Sequence, residues 1–381
     1  MRHAIVQTAQ PFGDTLLNDG SQRKNVRARP QAPPKTHGLC LVAAHGMSLI
    51  ELVVVISLVA LLMALIIPAV AKSRAVADQV RCQAHLSQIG ISLANYESSH
   101  RLYPYLVNGV VRNSQGDEDG EKFFSVQVHL LPYLEQVTVY NTLNFSVPGP
   151  GPNNVTLLQT WPHPANTTGA AAVIETFLCP ADPSSPTFTE IAGTNYRTNI
   201  GVTVFIGQRA SILKANGAFV PFRSLRPADF TDGLSHTAMF SEKPRGTSPD
   251  QTRFNSFVGF WESNLFWTSL EDMVRSCSLV VPQNAPFQNR VGYSWLVPGY
   301  RLTWYNHNSG PNGSVADCTS MSGPGDTEVP FQGCFSARSY HEGGVNTLFG
   351  DGRVRLVSNS TDLTVWRALG TRAGGESVDL W

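Results

Sequence analysis

Gly46-Met47-Ser48-Leu49-Ile50-Glu51, followed by the run from Leu52 to Val70, is the stretch on which the reading of this chain turns. Between Leu52 and Ile67 there is no charge, and Ser57 is the sole polar residue. With Ala69 and Val70 the run is about 19 residues long, enough for a helix to span a bilayer core of ~30 Å. Glu51 stands at its start. A carboxylate at the lip of a spanning helix costs several kcal/mol unless it is paired or held at the interface, so Glu51 calls for a functional reason.

Working outward, Ala69 to about Tyr96 continues the helix into water. Cys82, Leu86, Ile89, Leu93 and Tyr96 recur at offsets of three and four and form one apolar stripe. Lys72, Arg74, Asp78, Gln79 and Arg81 lie off it. The stripe reads as the seam that docks on a sheet. On the other side, residues 1–46 carry Arg23, Lys24, Arg27, Arg29 and Lys35. That positive charge keeps the segment on the cytoplasmic side.

The 381 residues hold 28 basic and 28 acidic side chains, so no global field favours nucleic acid. Charged residues are sparse at 15%, while 32 Gly and 25 Pro suit a β-rich, loop-rich region beyond the helix. Tyr103-Pro104 ends the helical part, and Arg112 to Lys122 reads as a loop. Phe123 to Glu135 reads as a strand or the start of a short helix, and Pro148 to Pro152 as a linker. Strands are expected at Val173 to Leu178, Val202 to Ile206, Ala238 to Phe240 ending at Glu242, and within Gly292 to Thr303. Asp232-Gly233 marks a turn, and Asn308 to Gly333 reads mostly as loop. Val345 to Phe349 and Arg353 to Val357 flank Gly350-Asp351-Gly352, a strong hairpin signal because such turns need positive φ.

Six cysteines are present. Cys40 falls before Gly46, Cys82 on the helix, and Cys179, Cys277, Cys318 and Cys334 beyond it. Outside the cytoplasm they can pair, and a cut after Gly46 leaves five, so one is free or pairs between chains. Cys318 and Cys334 flank a Gly-containing loop and are the preferred bridge. Cys179 in Cys179-Pro180-Ala181-Asp182-Pro183 has two readings. It is a nucleophile if His236 or His307 approaches it, or a buried or bridged cysteine, which the preceding apolar strand favours. His341, Glu342 and Asp351 are either a polar or metal-binding set or turn chemistry; the turn is preferred, and no metal is expected. Trp261, Trp267, Trp295 and Trp304 are either glycan-binding aromatics or core. No phosphate loop, paired-Cys zinc motif or serine elbow appears.

The opening stretch resembles the prepilin processing site of type IV pilins and type II secretion pseudopilins. The resemblance implies cleavage by a membrane peptidase after Gly46 and methylation of Met47 as the new N-terminus. Glu51 then falls fifth, where that family keeps a glutamate that neutralises a neighbouring subunit's N-terminus, and Pro68 where many pilins kink. An uncleaved signal anchor is the plainer reading. Leu-Leu-Pro-Tyr-Leu-Glu-Gln, Phe-Leu-Cys-Pro-Ala-Asp-Pro, Thr-Asn-Tyr-Arg-Thr-Asn, Thr-Asp-Gly-Leu-Ser-His-Thr and the terminal H-x9-DG from His341 to Asp351-Gly352 resemble a second, prepilin-like family, domain of unknown function 1559.

The expected protein is α+β and pilin-like: a leader over 1–46, a helix over 47–97 with residues 50–70 in the membrane, and a β-rich extracytoplasmic head over 98–381. It is expected to be a single-pass inner-membrane structural protein with its N-terminus cytoplasmic before cleavage. It has no catalytic residues and no cofactor. Its partners are prepilin peptidase, membrane lipid and other pilin-like subunits, and nucleic acid is not among them. A surface-displayed glycan- or polymer-binding module is the alternative.

Overall fold

The structure, a computed structural model, describes residues 48–106, 124–147, 162–184, 190–203, 215–221, 223–246, 257–260, 267, 269–279, 291–320 and 332–376. The leader, Gly46, Met47, the loop 112–122, the linker 148–152 and Trp261 lie outside them. The chain divides into two units, Met1–Leu61 and Leu62–Trp381.

Helix α1 runs unbroken from Leu49 to His100, through Pro68. It ends three residues later than the sequence pattern suggests. Its start is a capping box. The Glu51 backbone N–H donates to Ser48 Oγ (3.2 Å), and the Ser48 N–H donates to Glu51 Oε2 (2.9 Å), so two orphan helix donors are satisfied reciprocally. The large apolar side chains from Leu49 to Val70 are exposed. Among the described residues α1 alone is long and apolar enough to cross a membrane.

In the second unit the predicted stripe is buried: Cys82, Leu86, Ile89 and Leu93 are at 3% exposure or less. Each such apolar side chain contributes roughly 1.5–3 kcal/mol. They join one core with Tyr103, Phe177, Tyr196, Phe240, Trp295 and Leu348. Gly90, a weak helix former, has a reason to be there. A Cβ at that position would lie 2.8 Å from Leu348 Cδ1, so a side chain there would push the tip of Leu348 aside.

Leu348 belongs to a five-stranded sheet made of β1 (Tyr196–Asn199), β2 (Ala238–Glu242), β4 (Trp304–Tyr305), β7 (Gly344–Phe349) and β8 (Val354–Ser358), in the order β4-β1-β2-β7-β8. Within this sheet β4 and β1 pair in parallel and the other described neighbours are antiparallel. A smaller sheet, β3-β5-β6, joins β3 (Phe257–Phe260), β5 (Asp317–Ser320) and β6 (Gln332–Cys334). The described fold is therefore mixed α+β, as expected.

The hairpin β7–β8 lies at one end of the larger sheet, also as expected. Gly352 has φ +85°, and its N–H donates to the Phe349 carbonyl (2.9 Å). A β-branched residue there is strained whatever the space around it. Gly352→Val is expected to destabilise the protein by about 1–2 kcal/mol, and Gly352→Asn by less, because Asn tolerates the left-handed region. Equal melting temperatures for the two variants would contradict this.

Several expected strands are absent. Val173 to Leu178 instead contains the 3-10 turn Glu175–Phe177, with the Phe177 and Leu178 N–H groups bonded to carbonyls three residues back. An apolar run of six residues fits either form. Val202 and Thr203 are not strand, and residues 204–206 lie outside the described set; the strand is β1, just before. Gly292 to Thr303 is turn-rich, since the Leu302, Thr303 and Trp304 N–H groups all converge on the Gly299 carbonyl. The strand begins only at Trp304. Phe124 to Leu134 resolves as the short helix Val126–Leu130, capped by Ser125, and a 3-10 turn. Asn308 to Gly333, read as loop, contains β5 and the start of β6.

The Cys318–Cys334 bridge is also corrected. These residues are direct partners across β5–β6, yet Cys318 is bonded to Cys277. Cys334 is the free, buried cysteine among the described residues. The amphipathic helix Leu270–Ser278 covers this sheet with Met273 and Cys277, and brings Cys277 Cα within 5.6 Å of Cys318 Cα. Packing against this helix, rather than nearness in sequence, selects the partner.

Candidate functional site

Four segments meet where α1 docks. Cys82 comes from the buried stripe, Cys179 from the turn after Leu178, Glu242 from the end of β2 and His341 from just before β7. All four are buried, and their donor atoms lie within 4.8 Å of one another. Cys82 and Cys179 form a disulfide. His341 Nε2 is 3.4 Å from Cys179 Sγ and 3.2 Å from Glu242 Oε1.

The surroundings fix each member. Asn346 holds Glu242 twice, its backbone N–H donating to Oε2 (2.9 Å) and its Nδ2 to Oε1 (3.1 Å). Gln83 Nε2 in turn donates to Asn346 Oδ1 (3.0 Å) from α1. The Tyr196 hydroxyl donates to the Cys82 carbonyl (3.2 Å). Burial, and then the Glu242 charge, pushes that phenol well above its usual value, so it remains a donor. His85 Nδ1–H donates to the Leu178 carbonyl (2.7 Å). Asn195 accepts from the Cys179 N–H (3.1 Å) through Oδ1 and donates through Nδ2 to Asp182 Oδ2 (2.5 Å) and the Lys243 carbonyl (3.2 Å). The Cys-Pro-Ala-Asp-Pro turn and the Thr-Asn-Tyr-Arg-Thr-Asn strand are thus clipped together by Asn195.

Immediately after Glu242, Lys243 is equally buried. Its Nζ contacts the Asp317 carboxylate and donates to the Ser336 carbonyl (3.0 Å), while Arg338 Nη2 lies 3.4 Å from Asp317 Oδ1. Burial pulls the Lys243 ammonium down to about 7 against the opposing pull of Asp317. Burial, and then Asp317, pushes the Cys334 thiol up to about 12, so it is not a thiolate at neutral pH.

A family model described as a protein of unknown function, DUF1559, matches residues 71–364, more than half of the chain. The chain belongs to the DUF1559 family. Comparison with curated proteins and with solved structures gives no match. The matched range begins just past the apolar run and includes the whole Cys82–Cys179–Glu242–His341 cluster, so the cluster lies within the DUF1559 region.

The structure separates His341 from Glu342 and Asp351, which the sequence reading grouped together. His341 enters the cluster, whereas Asp351 caps the distant turn, its Oδ1 accepting from the Arg353 N–H (3.1 Å). Asp351 and Glu342 are exposed and do not meet His341. Neither His236 nor His307 serves Cys179. His236 Nδ1 faces Ser235 Oγ, and His307 donates from Nδ1 to the Trp366 carbonyl (2.6 Å). Trp267, Trp295 and Trp304, named for glycan contact, are core residues at 3% exposure or less. Glu242 was missed by sequence reasoning. The usable signal was a Glu-Lys pair at the end of an otherwise uncharged strand, Ala238-Met239-Phe240-Ser241-Glu242, because charges in buried strands need partners.

Proposed function

We propose that this DUF1559 chain is a prepilin-like structural protein without enzymatic activity. It is cut by prepilin peptidase between Gly46 and Met47, methylated at Met47, held in the inner membrane by the first part of α1, and displays its head outside the cytoplasm. Through lipid contact and contacts with like subunits it enters a pilus or secretion-type filament.

One observation carries this reading. A single helix carries, after Glu51, an uncharged, exposed, spanning-length segment and continues without a break into a buried docking stripe. The Ser48–Glu51 box adds to it, because it holds the Glu51 carboxylate on the backbone N–H of Ser48, the residue that directly follows Met47 in sequence. Opposite charges at low dielectric relieve each other's burial. The glycan-binding alternative draws no support from Trp267, Trp295 or Trp304, since all three are buried.

Mass spectrometry of the mature protein is expected to find methylated Met47 at the N-terminus. Gly46→Ala keeps much of the processing, and a bulky residue at 46 blocks it. An intact leader in cells with active prepilin peptidase would overturn the proposal. Glu51→Val is expected to lose the capping box, worth ~1 kcal/mol, and to keep insertion and cleavage, while filaments or methylation fail. Normal filaments from that variant would leave Glu51 with a capping role only.

A further inference from the structure

We propose that Cys82, Cys179, Glu242 and His341 form a redox-gated site for a divalent metal ion of the zinc class, closed to metal by the disulfide and opened by its reduction.

The donor set is two sulfurs, one imidazole nitrogen and one carboxylate oxygen, a combination that suits a borderline-soft, tetrahedral ion. With metal–ligand bonds of about 2.0–2.3 Å, tetrahedral donors are separated by about 3.3 Å (N to O) and about 3.5 Å (S to N or O). Among Cys179, Glu242 and His341 the observed separations are 3.2 Å for His341 Nε2 to Glu242 Oε1, 3.4 Å for Cys179 Sγ to His341 Nε2, and 3.9 Å for Cys179 Sγ to Glu242 Oε1, and the Cys82 sulfur lies within 4.8 Å of all three.

A second feature points the same way. One ring nitrogen faces both a sulfur and a carboxylate oxygen, although it carries either one proton or one lone pair. A disulfide sulfur is a poor acceptor, so hydrogen bonding accounts for the Glu242 contact and leaves the Cys179 contact without a role. An ion between the three atoms uses all of them. Glu242 is also oriented as ligating carboxylates are, with both oxygens held by Asn346, which Gln83 holds in turn.

The chemistry balances. A dithiol reductant delivers two electrons and two protons to the Cys82–Cys179 bond and is itself oxidised to a disulfide. The two thiols then release two protons as the divalent ion binds two thiolates, the Glu242 carboxylate and the neutral His341 nitrogen. In reverse, a peroxide removes two electrons from the bound thiolates and takes up two protons to give two waters. The disulfide re-forms and the ion leaves. Both states tie α1 to the turn at Cys179, but only the metal state also ties in β2 and the segment before β7.

The test uses the full chain in detergent, reduced, freed of reductant without air and titrated with Co2+, with Zn2+ as competitor. Reduced wild type is expected to bind about one Co2+ with tetrahedral visible bands and sulfur-to-cobalt charge transfer, and Zn2+ should displace it. The oxidised protein should bind at least about 100-fold more weakly. Cys179→Ser and His341→Gln should lose the tetrahedral spectrum. Asn346→Ala should weaken binding by about 10–100-fold. Cys277→Ser and Cys334→Ser, at the other cysteine cluster, should change nothing. The proposal fails if reduced wild type binds no Co2+. It fails equally if oxidised protein binds as well as reduced, or if the spectrum depends on Cys277 and survives Cys179→Ser.

Discussion

Asp317→Asn is expected to lower stability by about 3–5 kcal/mol at pH 6, the range for breaking a buried ion pair from one side. The change keeps the size of the side chain and removes the only carboxylate contacting Lys243 and Arg338 among the described residues. Arg338 then lacks its carboxylate, and Lys243, whose charge Asp317 supports, gives up its proton more readily. The sign with pH follows from Lys243, whose folded pKa is lowered to about 7. Below that value the native ammonium is charged and draws on Asp317. Above it the amine is neutral in wild type and variant alike. The deficit is therefore largest below pH 7 and shrinks as pH rises through 7, leaving at pH 9 the part owed to Arg338. Urea titration of the full chain in detergent at the two pH values measures both deficits. A deficit below about 1 kcal/mol at pH 6 would mean that the carboxylate is not needed.

Acid is expected to unfold the protein through His307 and His129. His307 is fully buried, donates from Nδ1 to the Trp366 carbonyl, faces the Tyr305 hydroxyl with Nε2 (3.1 Å) and stacks on the Trp366 ring at 3.9 Å. Burial holds its pKa down to about 3. Burial and the nearby His100 hold His129 down to about 4. Below pH 6.5 the unfolded chain takes up protons that the folded chain refuses, so stability falls as pH falls. Each histidine removes about 1.4 kcal/mol per pH unit, or roughly 3 kcal/mol between pH 6.5 and pH 4. His307→Gln should remove half of that pH slope, whatever it does to the absolute stability. An unchanged slope would show that His307 titrates normally.

What the sequence disclosed was whatever local pattern alone decides. The Cys82-Leu86-Ile89-Leu93 stripe repeats on the helical period, and Gly350-Asp351-Gly352 sits between two alternating runs. The Ser48–Glu51 spacing is likewise local, although its capping role was overlooked because Glu51 drew attention only as a charge. What stayed hidden depends on distant segments meeting. Cys82 and Cys179 are 97 residues apart, and Glu242 reaches His341 only because β2 and β7 are neighbours. A short apolar run such as Val173 to Leu178 is ambiguous for another reason: its backbone partners, which decide between strand and 3-10 turn, are not written in its side chains.

The strand order has a consequence in time. β2, at the centre of the sheet, is flanked by β1 from residues 196–199 and by β7 from residues 344–349. Roughly a hundred residues must be made and closed into a loop before β7 can reach β2. β4 must also return to β1 in parallel from a similar distance. Such pairings fold on the slow side, in milliseconds to seconds. Until Gly344 emerges from synthesis, β2 remains an open edge with unpaired N–H and C=O groups, a template for stray strands. Throughout that interval Cys82 and Cys179 are already present, and Glu242 is waiting for His341. Oxidation therefore has a head start on any event that needs all four side chains.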